Sequence, residues 1–267
     1  ATALPIFQFS IFGAGMLRSS GNMVVPSMMS VVMMSLDVVF NFFLIFPTRP
    51  VQLLGVEVTM PGMGMGVVGA AIGTVSAELV AASITMYILC FRSKELSLRI
   101  DKGRFLPTWG VVKRALHISL PMGLQQTIMC SAYVMTTIII APLGTFAIAA
   151  NSFGVIVESL CYMPGYGIAD AATTLVGQSI GAGRHELMKR FAWLSVGLGV
   201  TVMAVMGVVM YVGAPVAMAM MTPAEEVRRL GVEVLRIEAF AEPMFAAAIV
   251  SYGVFVGAAK TLVPSIM

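Results

Sequence analysis

Apolar residues run through this chain in long unbroken blocks rather than in alternation. Seven such stretches stand out, at about 1–17, 25–46, 64–91, 115–141, 148–172, 191–213 and 230–256. Each is close to the roughly 20 residues that a helix needs to cross a bilayer at 1.5 Å per residue. Strands of a membrane barrel would be about half as long and would alternate apolar with polar positions. The pattern therefore predicts an all-α polytopic membrane protein with seven spans. The punctuation suits helices. Pro26 and Pro121 are expected in or near first turns, where a missing N–H costs little. "PTRP" (47–50) and "GAGR" (181–184) read as breakers.

Composition sharpens this picture. Hydrophobic residues make up 58% and charged residues 11%, whereas a soluble domain carries about 25% charge; mean hydropathy is +0.94. The chain has no initiator Met, no signal peptide and no tail after "VPSIM", and it reads as a fragment. Cys90, Cys130 and Cys161 lie inside apolar runs without paired spacing, so neither a disulfide framework nor a metal site is expected. The net charge of +3 is small and gives no reason to expect a nucleic-acid partner. The placement of charge is more informative. Alternate connecting segments hold Arg18, the basic residues of 92–114, Arg184, Lys189, Arg190 and Lys260, twelve of the 16 basic residues. The other set holds Arg49, Arg228, Arg229 and Arg236. That asymmetry places the first set in the cytoplasm, although without the 92–114 segment the split is only five to four.

One segment occurs twice. "GMLRSSGNMVVPSMM" (15–29) returns as "GVFVGAAKTLVPSIM" (253–267), with Gly15/Gly253, Val25/Val263, Pro26/Pro264, Ser27/Ser265 and Met29/Met267 in register at an offset of 238. Six spans separate the copies. Because six is even, both copies end a helix on the same side, so the repeat is a parallel one: two six-helix lobes related about the membrane normal. The polar segment 92–114 is then the join. On this reading residues 1–91 end the N-terminal lobe (helices 4–6), 92–114 form a cytoplasmic inter-lobe linker, and 115–267 belong to the C-terminal lobe (helices 7–10).

The residues also carry a family resemblance. "GMLRSSGNMVVP" is similar to a segment that usually reads Arg-Gly-x-Gly-Asp/Asn-Thr-x-x-Pro. "ISLPMGLQQ" (118–126) resembles the start of a seventh helix and "RIEAFAEPMF" (236–245) a tenth. "GTFAIAANSFGVIVESLCYMPGYGIADAATTLVGQSIGAG" (144–183) resembles the seventh-to-eighth loop, the eighth helix and the loop beyond it. The family is the multidrug and toxic compound extrusion (MATE) transporters. The resemblance implies a cofactor-free, multi-pass protein of the inner (plasma) membrane, working as a monomer when complete. It implies export of organic, often cationic compounds against inward movement of H+ or Na+, and no enzyme activity. The alternative is a flippase for lipid-linked precursors or polysaccharide from the same broader superfamily, for which a cavity lined by basic residues would be expected.

Ionisable groups within spans are the natural site candidates, since each is expensive in hydrocarbon. Glu158 sits mid-span in "VIVESLCYMPG": it is either a protonatable group facing a cavity or a packing carboxyl bonded to a neighbouring hydroxyl. Asp170 lies nearer the cytoplasmic end, within reach of interfacial water. Glu78 in "VSAELVAA" is a similar candidate. Asp37 and Asn41, four apart, share a helix face and fit either a cation site or interhelical hydrogen bonding. Glu238 and Glu242 have the same spacing, with Pro243 beside the second, and a proline-broken helix can offer backbone oxygens to a cation. Gln125 and Gln126 would bond either substrate or a neighbouring helix. Members of the family with an acid eight positions after the seventh-helix proline, or with an Asp in the tenth helix, differ here, where Met129 and Phe245 stand. Their cation site cannot be copied.

Other signals point nowhere. "GQSIGAG" lacks the strand and the Gly-Lys-Ser/Thr of a phosphate loop, and "HELMK" lacks a second His. With His117 and His185 the only histidines, no catalytic or metal constellation can be assembled. The 23 methionines suit an adaptable apolar cavity as well as ordinary packing.

Overall fold

A computed structural model describes residues 4–53, 56–92 and 108–262. The chain divides into two compact units, 1–105 and 106–267. The first holds α1 (Leu4–Ser19), α2 (Val24–Ile45), a hairpin of β1 (Pro47–Leu53) and β2 (Val56–Met63), and α3 (Gly66–Tyr87), which runs into a π turn at Ile88–Arg92. The second holds α4 (Trp109–Ile140), α5 (Thr145–Gly181), α6 (His185–Met221), α7 (Glu225–Glu238) and α8 (Glu242–Gly257).

Helices α2 to α6 are long and apolar enough to cross a membrane, and α7 with α8 make a broken candidate bent by 58°. The seven expected spans are thus met at six places among the described residues. α1 has 16 residues, fewer than the roughly 20 a span needs. "GAGR" does break the chain: α5 ends at Gly181, and Gly183 turns it at φ +69°.

Three expectations need correction. First, "PTRP" does break the helix, α2 ending at Ile45, but the chain from there forms a hairpin where no strand was expected: alternating β-branched residues (Val56, Val58) favour strand, and the pairing runs from Pro47↔Met63 to Leu53↔Val56. The Thr48 hydroxyl donates to Gly62 O at 3.1 Å and accepts the Gly62 N–H at 3.2 Å. Second, α4 starts at Trp109, so Pro121 is interior rather than in a first turn. Thr108, in extended conformation, starts the helix, and the basic residues Lys113 and Arg114 continue it well. Most of the expected 92–114 linker, residues 93–107, lies outside the described residues. Third, the stretch 230–256 is a pair of helices broken at 239–241 rather than one continuous helix. Pro243, at the second position of α8, has no N–H to continue the ladder. The turn at 239–241 closes with Ala241 N–H donating to Glu238 O at 2.8 Å. Gly207 of α6 makes room for it, since a Cβ there would sit 2.7 Å from Ala239 O.

Packing within each unit follows small residues. In the first, α3 packs on α1 and α2. In the second, α5, α6 and α8 pack on one another and α7 lies on α5 and α6, around Cys161, Met210, Ala214, Met218, Leu235 and Ala239. α4 has no buried residue. Gly253 and Gly257 bring α8 against the backbone of α5, where a Cβ would meet Ala169 O at 2.6 Å and Thr173 O at 2.5 Å. This is the small-residue contact that membrane helices use for close approach.

The repeat is also a repeat of structure. At the same offset α1 (4–19) maps onto α8 (242–257), and both end in one kind of turn. Asn22 N–H donates to Leu17 O and Lys260 N–H to Phe255 O, both at 3.0 Å. Gly21 N–H donates to Arg18 O and Ala259 N–H to Val256 O, both at 2.9 Å. The left-handed residue is Gly21 (φ +88°) in one copy and Ala259 (φ +56°) in the other. An L side chain in that region costs about 1–2 kcal/mol. Ala259→Gly will therefore stabilise the protein by about 1 kcal/mol and Gly21→Ala will destabilise it similarly, read as opposite shifts of unfolding temperature in detergent.

Candidate functional site

The α7–α8 break gathers three carboxyls. Glu238 is the last residue of α7 and Glu242 the first of α8. Glu158 joins them from α5 because it falls on the buried stripe Gly154, Cys161, Gly165 and Ala169. The three are close enough for their charges to act on one another. Glu242 is only 4% exposed, whereas Glu158 and Glu238 are half-buried. The Oε2 atoms of Glu238 and Glu242 are buried and have no hydrogen-bond partner among the described residues. Such an orphan is uncommon in native proteins and calls for a physical reason. No three His, Cys, Asp or Glu side chains converge to hold a metal ion among the described residues.

Farther along α8 lies a cavity of about 690 Å³ between α4, α5 and α8. Met122, Gln125, Gln126 and Met129 line it from α4, Tyr166 from α5, and Phe245, Ser251, Tyr252 and Phe255 from α8. None of these lining residues is acidic or basic. Met129 and Phe245, which stand where some family members carry an acid, both line this space. The Gln126 amide donates weakly to Cys130 Sγ at 3.9 Å. Tyr166 stacks edge-on with Tyr162 at 5.6 Å between ring centres.

The remaining candidates separate from these two places. In the first unit Asp37 Oδ1 and Asn41 Oδ1 are also buried without a partner among the described residues. Gly73 of α3 admits Asn41, since a Cβ there would lie 2.5 Å from Asn41 Oδ1. Glu78 is 5% exposed on α3. Asp170 is exposed and lines neither the carboxyl cluster nor the cavity. The sequence reading missed Tyr166, Ser251 and Tyr252. Their signal was present, as polar-tipped side chains inside apolar runs, but it did not say which way they turn.

Comparison with known proteins agrees on one family. The MatE family model matches residues 121–267, more than half of the chain. A probable multidrug resistance protein NorM of Thermotoga maritima is 31% identical over 177 residues, covering 66% of this chain and 35% of that protein. One from Xylella fastidiosa strain Temecula1 is 28% identical over 203 residues, covering 76% and 43%. The chain thus spans well under half the length of these curated relatives. Among solved structures, an outward-facing multidrug resistance MATE family transporter of the MOP superfamily superposes with a TM-score of 0.85 at 20% identity, covering 98% of this chain and 55% of that one. A mutant of the Vibrio cholerae MATE transporter VcmN gives 0.81 at 20% identity, covering 96% and 54%. At these identities the structures establish the fold, and the family model carries the assignment: this chain belongs to the MatE family.

Proposed function

We propose that the intact protein is a secondary active efflux transporter that moves organic, often cationic compounds out of the cell in exchange for an inward cation, by alternating access. The observation that carries this reading is the pairing, on one helix, of two unlike places. Carboxylate oxygens without a partner among the described residues sit at the break before α8, and an aromatic cavity whose lining residues carry no charge lies along its length. A proton on Glu238 or Glu242 would remove the charge from a carboxyl whose Oε2 is buried without a partner among the described residues. Cargo would lie against Tyr166, Tyr252, Phe245 and Phe255, whose ring faces attract a delocalised cation, with Gln125 and Gln126 supplying hydrogen bonds. The basic connecting segments would face the cytoplasm. Ion and cargo must favour different states for exchange to occur. A flippase for anionic lipid-linked cargo gains no support, because no basic residue lines the cavity.

The test is ethidium uptake into everted vesicles carrying the intact protein. Vesicles acidified inside will accumulate ethidium, and a sodium gradient alone will drive less. No response to either gradient removes the transport reading. Tyr252→Ala will raise the half-saturating ethidium concentration about two- to thirtyfold, the range set by 0.5–2 kcal/mol of cation–π attraction. Tyr252→Phe will stay near the parent value.

A further inference from the structure

A second polar pocket, of about 510 Å³, lies where α7 meets the end of α6. It holds both signs of charge: Arg228, Arg229 and Arg236 beside Glu225 and Glu233, with Pro215 of α6 as its apolar wall. Among the described residues none of the three arginines is ion-paired. Arg236 instead lies over the Tyr211 ring, 5.3 Å from its centre, and that ring meets Phe240 edge-on at 5.8 Å. An arginine and aromatic rings grouped at a helix end mark the depth where hydrocarbon gives way to head groups. The surface beside the pocket agrees. Val205, Val208 and Val212 of α6 are 59%, 66% and 71% exposed, an apolar strip that runs from the level of Tyr211 toward the middle of the helix and suits acyl chains. α7 is itself amphipathic: Val227, Gly231 and Leu235 are buried against its unit, and the charged face turns outward.

We propose that this pocket binds the head group of a zwitterionic phospholipid with a primary ammonium, its phosphate on Arg228, Arg229 and Arg236 and its ammonium on Glu225 and Glu233. Arginine forks match phosphate oxygens in paired hydrogen bonds. A purely anionic ligand would meet two carboxylates with nothing to offer them, so the mixed lining selects a ligand carrying both charges. The acyl chains would run down the exposed strip of α6. This inference is independent of what the protein transports.

The test uses the intact protein in detergent, with bound lipid measured by native mass spectrometry during titration with phosphatidylethanolamine, phosphatidylglycerol and phosphatidylcholine. Phosphatidylethanolamine is expected to bind at least about tenfold more tightly than the other two, a difference of about 1.4 kcal/mol. The triple change Arg228→Gln, Arg229→Gln, Arg236→Gln will remove that preference and weaken phosphatidylethanolamine about tenfold. Glu225→Gln with Glu233→Gln will remove the preference while leaving phosphatidylglycerol binding in place. Arg228→Lys with Arg229→Lys, which keeps the charge, guards against loss through misfolding and will retain part of the preference. Equal binding of the three lipids, unchanged binding in the glutamine triple variant, or displacement of the lipid by inorganic phosphate at equal concentration would each overturn the proposal.

Discussion

Glu242→Gln in the intact protein will lower gradient-driven ethidium efflux roughly tenfold or more, while ethidium binding to the purified protein changes by less than about threefold. The argument rests on isosterism and position. Glutamine keeps the volume and shape of the side chain, so the fold around a residue 4% exposed is maintained. What it removes is the capacity to gain and lose a proton at an oxygen without a partner. The residue opens α8, where the unpaired N–H groups of a first turn are concentrated. It also sits at the 58° bend, so a change of charge there acts on the orientation of the helix that lines the cavity. The residues of α8 that line the cavity begin at Phe245 and run to Phe255 and do not include Glu242, so the proposed cargo binding and coupling are expected to separate. Glu158→Gln is expected to act in the same direction, because its charge acts on Glu242. Undiminished efflux in both variants removes the carboxyl cluster from the mechanism.

Gly253→Ala will destabilise the protein by about 1–3 kcal/mol, the usual range for overpacking a tight contact. The added methyl would lie 2.6 Å from Ala169 O and 3.1 Å from Ala169 Cα, and both obstacles are backbone. A backbone cannot swing aside as a side-chain end can, so α5 and α8 must separate. Separation also strains the Thr173 hydroxyl, which is shared between Ala169 O at 2.9 Å and Gly253 O at 2.8 Å. Gly257→Ala meets Thr173 in the same way at 2.5 Å and will behave alike. Gly197 on α6 is the control. Nothing lies within 4 Å of a Cβ there, so alanine will be neutral or stabilising by up to about 1 kcal/mol through helix propensity. Unfolding in detergent, followed by intrinsic fluorescence, reads all three. An unfolding temperature for Gly253→Ala equal to the parent's would show that the α5–α8 contact is looser than described.

Much of this was legible in the residue pattern, for physical reasons that differ by feature. The membrane helices showed because hydrocarbon imposes length and polarity on any segment that crosses it. The duplicated segment showed in letters, and its turn could be recovered even though Gly21 has become Ala259. Pro243 announced a break, but not that Gly207 of another helix would be cut away to receive it. The hairpin was hidden because its strands, of seven and eight residues, contain Pro47, Pro50 and Pro61, and prolines read as a break between apolar blocks rather than as strand. Spacing along one helix paired Glu238 with Glu242. Only tertiary packing could add Glu158, and only it could show that Met129 and Phe245 face one cavity while Asp170 is exposed.

The glycine contact between α5 and α8 also limits how the second unit can change shape. Two helices held backbone to backbone, with a shared hydroxyl between them, behave as a single strut. Bending is then expected where the helix ladder is already interrupted, at the three-residue turn before Glu242 and Pro243.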